Sequence, residues 1–456
     1  MAPMVLAALT PPEHSFTYLD EDIDEIRFDR IDADLIAITA MTVQADRAYF
    51  LADKFRLMGY PVVIGGIHAS SCPEEASMHA DAVCMGEADN YWASLLEDFA
   101  SGQLKKRYNA KEYPPVINLI SPKIDVVRHS SYSVLPLQAT KGCPYQCDFC
   151  CIKFSSGNKY RMKPVEQVVE EIKAYERFNK GILKKRYHFN DDNLYVNREY
   201  TIKLFKALRD LNIQWMGMGS FSTALDREVV KLMAESGCRN YGMGLESVSA
   251  ESLHEVNKVG NKIDDYKKAT QMLISHGIIP TAYFIVGFDS DDESTFGRTV
   301  DFLIENHIIN PLLQIMTPFP GTKVYERLKD RIFDKKWSHY GSQKCVFAPK
   351  KLTALQLESG FYWAAHQLAE LSILKEHLKY FWSHGPWEKN PRLTLSERLL
   401  LMYLAMGLKG NKEYRKFLFW AARQRDAVDA YQIVSIVAFN HMAKKFETSR
   451  KKLSAD

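Results

Sequence analysis

Three cysteines stand close together in Gly142-Cys143-Pro144-Tyr145-Gln146-Cys147-Asp148-Phe149-Cys150, spaced C-x3-C-x2-C. Thiolates this near one another on one loop can wrap one face of a cubane iron–sulfur cluster, because such clusters are held by cysteine sulfur. Three ligands for four irons leave one iron open, and an open iron can chelate the amino and carboxylate groups of an amino acid. Zinc is the rival metal, but a structural zinc site is closed by four ligands. Cys151 directly follows Cys150 and should point elsewhere, while Cys238 and Cys345 lie in distant segments. The pattern favours a [4Fe–4S] cluster on Cys143, Cys147 and Cys150, which makes these the candidate catalytic and metal-binding residues.

A loop with this task needs a rigid scaffold, and the sequence around it supplies one. Short apolar, β-branched runs read as strands at Leu135–Thr140, Tyr187–Asn190, Trp215–Gly219, Asn240–Leu245, Pro280–Val286 and Leu312–Thr317. Between them, apolar residues recur at helical spacing over Pro164–Phe178, Tyr200–Leu211, Asp226–Ser236, Asp264–His276 and Asp292–Asn306, several with acidic first turns. Six such strand–helix units are too few to close a barrel and suit a partial (β/α)6 TIM barrel. The cysteine loop follows the first of these strands, at the end where such folds place their chemistry.

Ahead of the barrel, His14–Asp20, Ala33–Met41, Tyr60–Gly65 and Asp81–Gly86 read as buried strands, with helical patterns over Gln44–Met58 and Glu87–Ala100. This alternation predicts a parallel, doubly wound, Rossmann-like α/β domain over residues 1–105, whose ligands sit beyond the carboxyl ends of the strands. Gly65, Gly66 and Gly86 fall at two such ends, where the backbone can approach a flat ligand, although a glycine pair there also serves as an ordinary turn. Residues 106–132 are proline-containing and aperiodic and read as a linker, 133–340 as the barrel, and 341–456 as a helical C-terminal extension broken at His384-Gly385-Pro386 and Gly407–Gly410. Ala430–Ala443 is apolar enough to lie over a lipid substrate or a membrane surface, but such a stretch is more often simply the packed face of a last helix.

The bulk composition excludes several classes. With 59 basic against 56 acidic side chains in 456 residues, the net charge of +3 is too near neutral for a nucleic-acid binder. The basic cluster Lys444, Lys445, Arg450, Lys451 and Lys452 reads as a solvated tail. No stretch reaches about 18 consecutive apolar residues, so no transmembrane segment is expected. The first residues lack the basic start and small-residue cleavage site of a signal peptide, so a cytoplasmic protein with reduced or metal-bound cysteines is expected.

The cysteine motif, with an aromatic before its last cysteine and at the end of the first of six barrel strands, resembles the radical S-adenosylmethionine (SAM) superfamily. YRMKPVEQVVEEI, HFNDDNLYVN, YGMGLES, FIVGFDSDD and TPFPGTKVY resemble the class with an N-terminal cobalamin (B12)-binding domain, as do LAALTPPEH, LDED, DADLIAIT, VVIGGIHAS and ADAVCMGEA. The segment from FAPKKLTALQLESGFYWAAHQLAE onward is similar to the helical extension of the hopanoid C-2 methylase group. The resemblance implies that Cys143, Cys147 and Cys150 ligate the cluster and that Phe149 packs on it with its backbone against adenine. It implies that Asp191 and Asp192 face the methionyl part of SAM, and that Ser220, Ser222 and Glu246 contact ribose or carboxylate. Two bland roles stand beside these: Asp191-Asp192-Asn193 as a helix cap, and Glu246 as the partner of a barrel arginine.

Cobalamin stays open in this reading. The class generally begins with a further strand and a Pro-rich loop ahead of the segment equivalent to Met4–Pro12, and D-x-H-x-x-G, which supplies a cobalt ligand in some other cobalamin proteins, is absent. His68, in GGIHAS, lies near the expected cofactor edge, either as a cofactor contact or as polar lining. The implied activity is reductive cleavage of SAM, with electrons from reduced flavodoxin or ferredoxin, to modify a small or lipid-like metabolite. With cobalamin the expected outcome is C-methylation. Without it, 5′-deoxyadenosyl chemistry or transfer of the 3-amino-3-carboxypropyl group of SAM, as in arsinothricin synthesis, is expected. A non-enzymatic carrier of cobalamin or lipid is the third reading.

Overall fold

The computed structural model of the chain describes residues 1–109, 120–127, 132, 134–178, 186–386, 402 and 412–423. These residues fall into two compact units. One comprises Met1–Gly219, Glu235–Gly237 and Thr317–Ala348, and the other Ser220–Ala234, Cys238–Met316 and Pro349–Asp456.

The first unit opens with a parallel sheet in the order β1 (Ile36–Thr39), β2 (Val62–Gly65), β3 (Ala82–Met85), β4 (Arg107–Asn109). Successive residues of a strand face opposite sides, and the two sides build separate cores. Val62, Ile64 and Val83 pack with Tyr49, Leu51, Ala52 and Phe55 of the helix Ala45–Leu57. Val63, Ala82 and Cys84 pack with Trp92, Leu95 and Leu96 of the helix Trp92–Ala100. Helices on both faces of a parallel sheet are what the sequence alternation predicts.

Two expectations are corrected here. His14–Asp20 alternates half-buried and exposed residues but forms no strand. Alternation places a chain against a surface, whereas a strand also needs a neighbour to complete its ladder, and Asp20 instead accepts a hydrogen bond from the Tyr132 hydroxyl at 2.6 Å. Conversely, the expected linker begins with a strand, β4, paired in parallel with β3 in the register Val83↔Arg107 and Cys84↔Tyr108. Its polar sequence is that of an edge strand, anchored by one buried side chain, Tyr108, whose hydroxyl donates to Asp98 at 2.8 Å.

The same unit continues with β5 (Val134–Leu137), a short antiparallel pair β6 (Thr140–Lys141) and β7 (Arg161–Met162), β8 (Arg186–Phe189) and β9 (Gln214–Gly219). β5, β8 and β9 are joined in parallel, with Leu135↔Tyr187 and Tyr187↔Trp215 in register. In the second unit β10 (Cys238–Glu246), β11 (Ile279–Val286) and β12 (Asn310–Ile315) are likewise parallel. The helices Val165–Phe178, Arg198–Arg209, Arg227–Glu235, Ile263–Ser275 and Ser294–Glu305 intervene along the chain, and these elements stand within two residues of their expected bounds except the first strand, which ends at Leu137 while Thr140 belongs to β6.

The second unit ends in the helices Ala354–Leu368, Leu371–His384 and Lys412–Arg423. Thr353 begins the first with a capping box, its hydroxyl accepting from Gln356 N at 3.1 Å while the Gln356 side chain accepts from Thr353 N at 2.8 Å. Leu374, Leu378 and Phe381 pack with Tyr414, Phe417 and Ala421 and with Ile274, Ile279 and Ile309. The helix Leu371–His384 ends where His384-Gly385-Pro386 predicts a break. Most of the expected linker, Gly407–Gly410, Ala430–Ala443 and the basic cluster at the end of the chain lie outside the described residues.

Candidate cluster and cofactor site

The motif cysteines lie on the loop between β6 and β7, closed at its base by the register Thr140↔Met162 and Lys141↔Arg161. Cys150 N donates to Cys147 O at 3.1 Å, which turns the loop tightly between the last two ligands, and Cys143 N donates to Gly157 O at 3.3 Å. Gly142 is required by this path: its φ is +81°, and a Cβ there would sit 2.3 Å from the Lys159 carbonyl oxygen. The segment after β12 grips the loop from the same unit. Val324 N donates to Asp148 O at 3.1 Å, Lys323 Nζ lies 3.1 Å from the Asp148 carboxylate, and a Cβ on Gly321 would meet the Phe154 ring at 2.6 Å.

All eight cysteines are thiols rather than disulfides. Burial, with repulsion from Cys151, Cys147 and Cys143 adding to it, pushes the Cys150 thiol up to about 12. A metal must therefore displace a proton to bind it. A single zinc ion holds its sulfurs at about 2.3 Å, hence within about 4 Å of one another. Among the described residues the set with three ligand atoms within 4.8 Å of one another is His68, Cys72 and Glu75, not the three motif cysteines. Three thiols on one loop suit three corners of a cubane.

Asp191 and Asp192, at the end of β8, are engaged by the cluster loop itself. Asp191 is fully enclosed and accepts from Ala139 N at 3.2 Å, Thr140 N at 2.5 Å and the Thr140 hydroxyl at 2.6 Å. Asp192 accepts from Gly142 N at 2.7 Å. Burial raises both carboxyls, that of Asp191 to about 7. They fix the chain on either side of Lys141, just ahead of Cys143. The helix-cap role falls instead to Asn197, whose side chain accepts from Tyr200 N at 2.9 Å.

In the second unit, the Ser220 and Ser222 hydroxyls are 2.7 Å apart and exposed, and the Tyr241 hydroxyl holds Ser220 O at 2.8 Å. Glu246 sits at a bulge of β10 with φ +66° and pairs at 2.9 Å with Lys258, a lysine rather than the arginine expected.

At the carboxyl ends of β2 and β3, Gly65, Gly66 and Gly86 stand where expected. Gly66 has φ +94°, and a Cβ there would meet Ala40 O at 2.7 Å, so neighbouring backbone already accounts for this glycine. His68 is enclosed, 2% exposed, between the rings of Tyr49 and Trp337. Sequence reasoning missed a cluster of charges after β3. Arg161, 1% exposed, forms a two-pronged pair with Glu87, and Lys141 lies 3.5 Å from Glu87 and 3.7 Å from Asp89. The signal was YRMK after the cysteines and GEAD after β3, charged residues set in segments that must pack. Asp89 Oδ1 is buried without a hydrogen-bond partner. A buried acceptor at this sheet edge fits a ligand rich in amide donors, as the fringe of a corrin is.

The Radical SAM superfamily model matches residues 137–303, and the B12 binding domain model matches residues 5–96. The chain is 33% identical over 382 residues to the bacteriochlorophyllide d C-12(1)-methyltransferase of Chlorobaculum tepidum, covering 82% of this chain and 84% of that one. It is 34% identical over 363 residues to the bacteriochlorophyllide d C-8(2)-methyltransferase of the same organism, covering 76% and 80%. Among solved structures, the radical SAM methyltransferase TsrM of Kitasatospora setae, with cobalamin and a [4Fe–4S] cluster bound, superposes with a TM-score of 0.64 at 14% identity, over 92% of this chain and 95% of that one. The chain belongs to the radical SAM superfamily, in the class that carries an N-terminal B12-binding domain. It is a radical SAM enzyme whose class cofactors are a [4Fe–4S] cluster, SAM and cobalamin. No helix among the described residues is long and apolar enough to cross a membrane.

Proposed function

We propose that this enzyme methylates an unactivated carbon of a flat, largely apolar substrate of the tetrapyrrole kind named for its relatives. The observation that carries this is identity of 33% and 34% to two bacteriochlorophyllide d methyltransferases, sustained over most of each chain. When bound, the reduced cluster supplies the electron that breaks a C–S bond of SAM, and the corrinoid supplies the methyl group that reaches the substrate.

The chain's own residues position these groups and shield them from water. Cys143, Cys147 and Cys150 hold the cluster, and Phe149 covers it. Asp191 and Asp192 fix the loop that carries the cysteines, through the hydrogen bonds to Ala139, Thr140 and Gly142. Ser220, Ser222 and Glu246 contact the ribose and carboxylate of SAM, with Lys258 setting the orientation of Glu246. Gly65, Gly66 and Gly86 line the corrin edge, where Asp89 offers an acceptor. Residues 1–105 bind the corrinoid and 133–340 carry the SAM chemistry. Reduced flavodoxin or ferredoxin in the cytoplasm delivers the electron.

The test is anaerobic reconstitution with iron, sulfide and cobalamin, followed by mass spectrometry of products from SAM and a chlorin substrate. Expected are methionine and 5′-deoxyadenosine from the SAM that is cleaved reductively and takes the substrate hydrogen, S-adenosylhomocysteine from the SAM that methylates the corrinoid, and a substrate heavier by one methylene. The 5′-deoxyadenosine and the methylated substrate disappear in Cys147→Ala. Methylthioadenosine as the product from SAM, or turnover persisting in Cys147→Ala, refutes the proposal.

A further inference from the structure

A second set of metal-ligating side chains lies outside the cysteine motif. His68 and Cys72 are four residues apart and Glu75 follows after three more, a spacing that places them on one side of a helical path. The path is the helix Ile67–Ser71 and the helix Pro73–His79, broken at Cys72. One ligand atom from each of the three lies within 4.8 Å of the others.

Independently, His68 carries the mark of a missing partner. It is 2% exposed, and neither ring nitrogen has a hydrogen-bond partner. A buried imidazole must donate from one nitrogen and accept at the other, so leaving both unmet is unfavourable. Its Nε2 faces Glu75 Oε2 at 3.9 Å, too long for a hydrogen bond. Nitrogen and oxygen ligands of one tetrahedral zinc stand about 3.4 Å apart, so a closure of about half an ångström seats an ion between them. Glu75 is held from behind, since Trp337 Nε1 donates to its other oxygen, Oε1, at 2.7 Å. A donor on the free oxygen of a ligating carboxylate is the usual outer support of a metal site. Tyr49, with its ring 5.7 Å from that of His68, has a buried hydroxyl likewise without a partner. Cys72 and Glu75 are half-buried, which leaves an approach for an ion and for water as a fourth ligand.

We propose that His68, Cys72 and Glu75 bind one divalent transition-metal ion, zinc by the mixture of nitrogen, sulfur and oxygen ligands, at a site separate from the iron–sulfur cluster. Binding displaces the Cys72 thiol proton to solvent and leaves the imidazole neutral, so the ion meets a thiolate, an imidazole nitrogen and a carboxylate. The ion ties the turn after β2 through Glu75 to Trp337. The site stands whether or not the proposed methylation is correct.

The experiment is metal analysis of the full-length protein, reconstituted with its cluster and cobalamin, incubated with Zn2+ and freed of loose metal by gel filtration. About one zinc per chain is expected in the wild type and in the Cys143→Ala/Cys147→Ala/Cys150→Ala variant, with zinc at least about fivefold lower in His68→Ala and Cys72→Ala at unchanged iron. Trp337→Phe should keep the ligands but weaken zinc binding by about tenfold. If the ligand variants do not fold, Co2+ loaded into the cobalamin-free triple cysteine variant provides the decision. A thiolate-to-cobalt charge-transfer band supports the site and its absence overturns it. Substoichiometric zinc in the wild type, or zinc lost with the three cluster cysteines, overturns it too. So does nitrogen superhyperfine splitting in the cob(II)alamin spectrum that vanishes in His68→Ala, which would give the imidazole to the corrinoid.

Discussion

The pair Arg161–Glu87 offers a sharp test of how the B12-binding sheet is fixed to the cluster loop. The side chains are 1% and 6% exposed, so the pair is almost wholly desolvated. Removing one member leaves the other charge buried. In Glu87→Ala the Arg161 guanidinium loses its carboxylate while the Ser156 carbonyl, at 2.9 Å, stays, and Lys141 loses its nearer carboxylate. The guanidinium is then buried without its carboxylate, and a cost of about 3–5 kcal/mol follows. In Arg161→Ala, by contrast, Glu87 still has Lys141 at 3.5 Å, so the cost is smaller, about 1–3 kcal/mol. The double variant Glu87→Met/Arg161→Met removes both charges and fills the space, and should be more stable than Glu87→Ala. At roughly 2–4 °C per kcal/mol for a unit of this size, Glu87→Ala should melt about 10 °C below wild type in its first transition. Circular dichroism melts of the reconstituted protein, with iron per chain measured beside them, provide the assay. Iron should fall with stability, because Arg161 is paired in register with Lys141, next to Gly142 and Cys143. Equal losses from the two single variants, or a double variant that shows their sum, would refute the reasoning.

Gly142→Ala should lower iron retention without touching a ligand: the residue must hold φ +81° with a Cβ 2.3 Å from a backbone oxygen, a strain of about 1–3 kcal/mol released only by moving the loop. Iron retention equal to wild type after desalting would contradict this. In the second unit, burial drives His377 down from its ordinary 6.5 to about 4, and the neighbouring His307 adds to it. The unfolded chain therefore takes up a proton that the folded chain does not, so stability is full above the ordinary histidine value and falls by about 3 kcal/mol as pH drops towards 4. His377→Gln should flatten that slope in melts at pH 5 and 6.5, and an unchanged slope would rule out His377 as its source.

Much of the fold is legible in the sequence because it is written in local periodicity. Five of the six barrel strands and the helices between them appear within two residues of where apolar spacing and acidic first turns place them, as at Val165–Phe178 and Ile279–Val286, and the first strand ends three residues early. The cysteine motif is equally local, since ligands within a few residues on one loop need no long-range folding to be near one another. What failed was what depends on a neighbour. His14–Asp20 has the alternation of a strand and no partner, while Arg107–Asn109 has little alternation but a partner in β3.

The sequence by itself thus determined the chemistry: three thiols on a strand-end loop, six strand–helix units behind them and a parallel α/β domain ahead. Tertiary structure alone decided what each charged side chain does. Asp191 and Asp192 turn to the backbone of the cluster loop about 50 residues earlier, Arg161 reaches Glu87 across 74 residues, and Glu75 meets Trp337 across 262. The physical reason is range. Backbone propensity and ligand spacing act between near neighbours, whereas a buried charge takes whichever counter-charge the completed fold brings within hydrogen-bond distance.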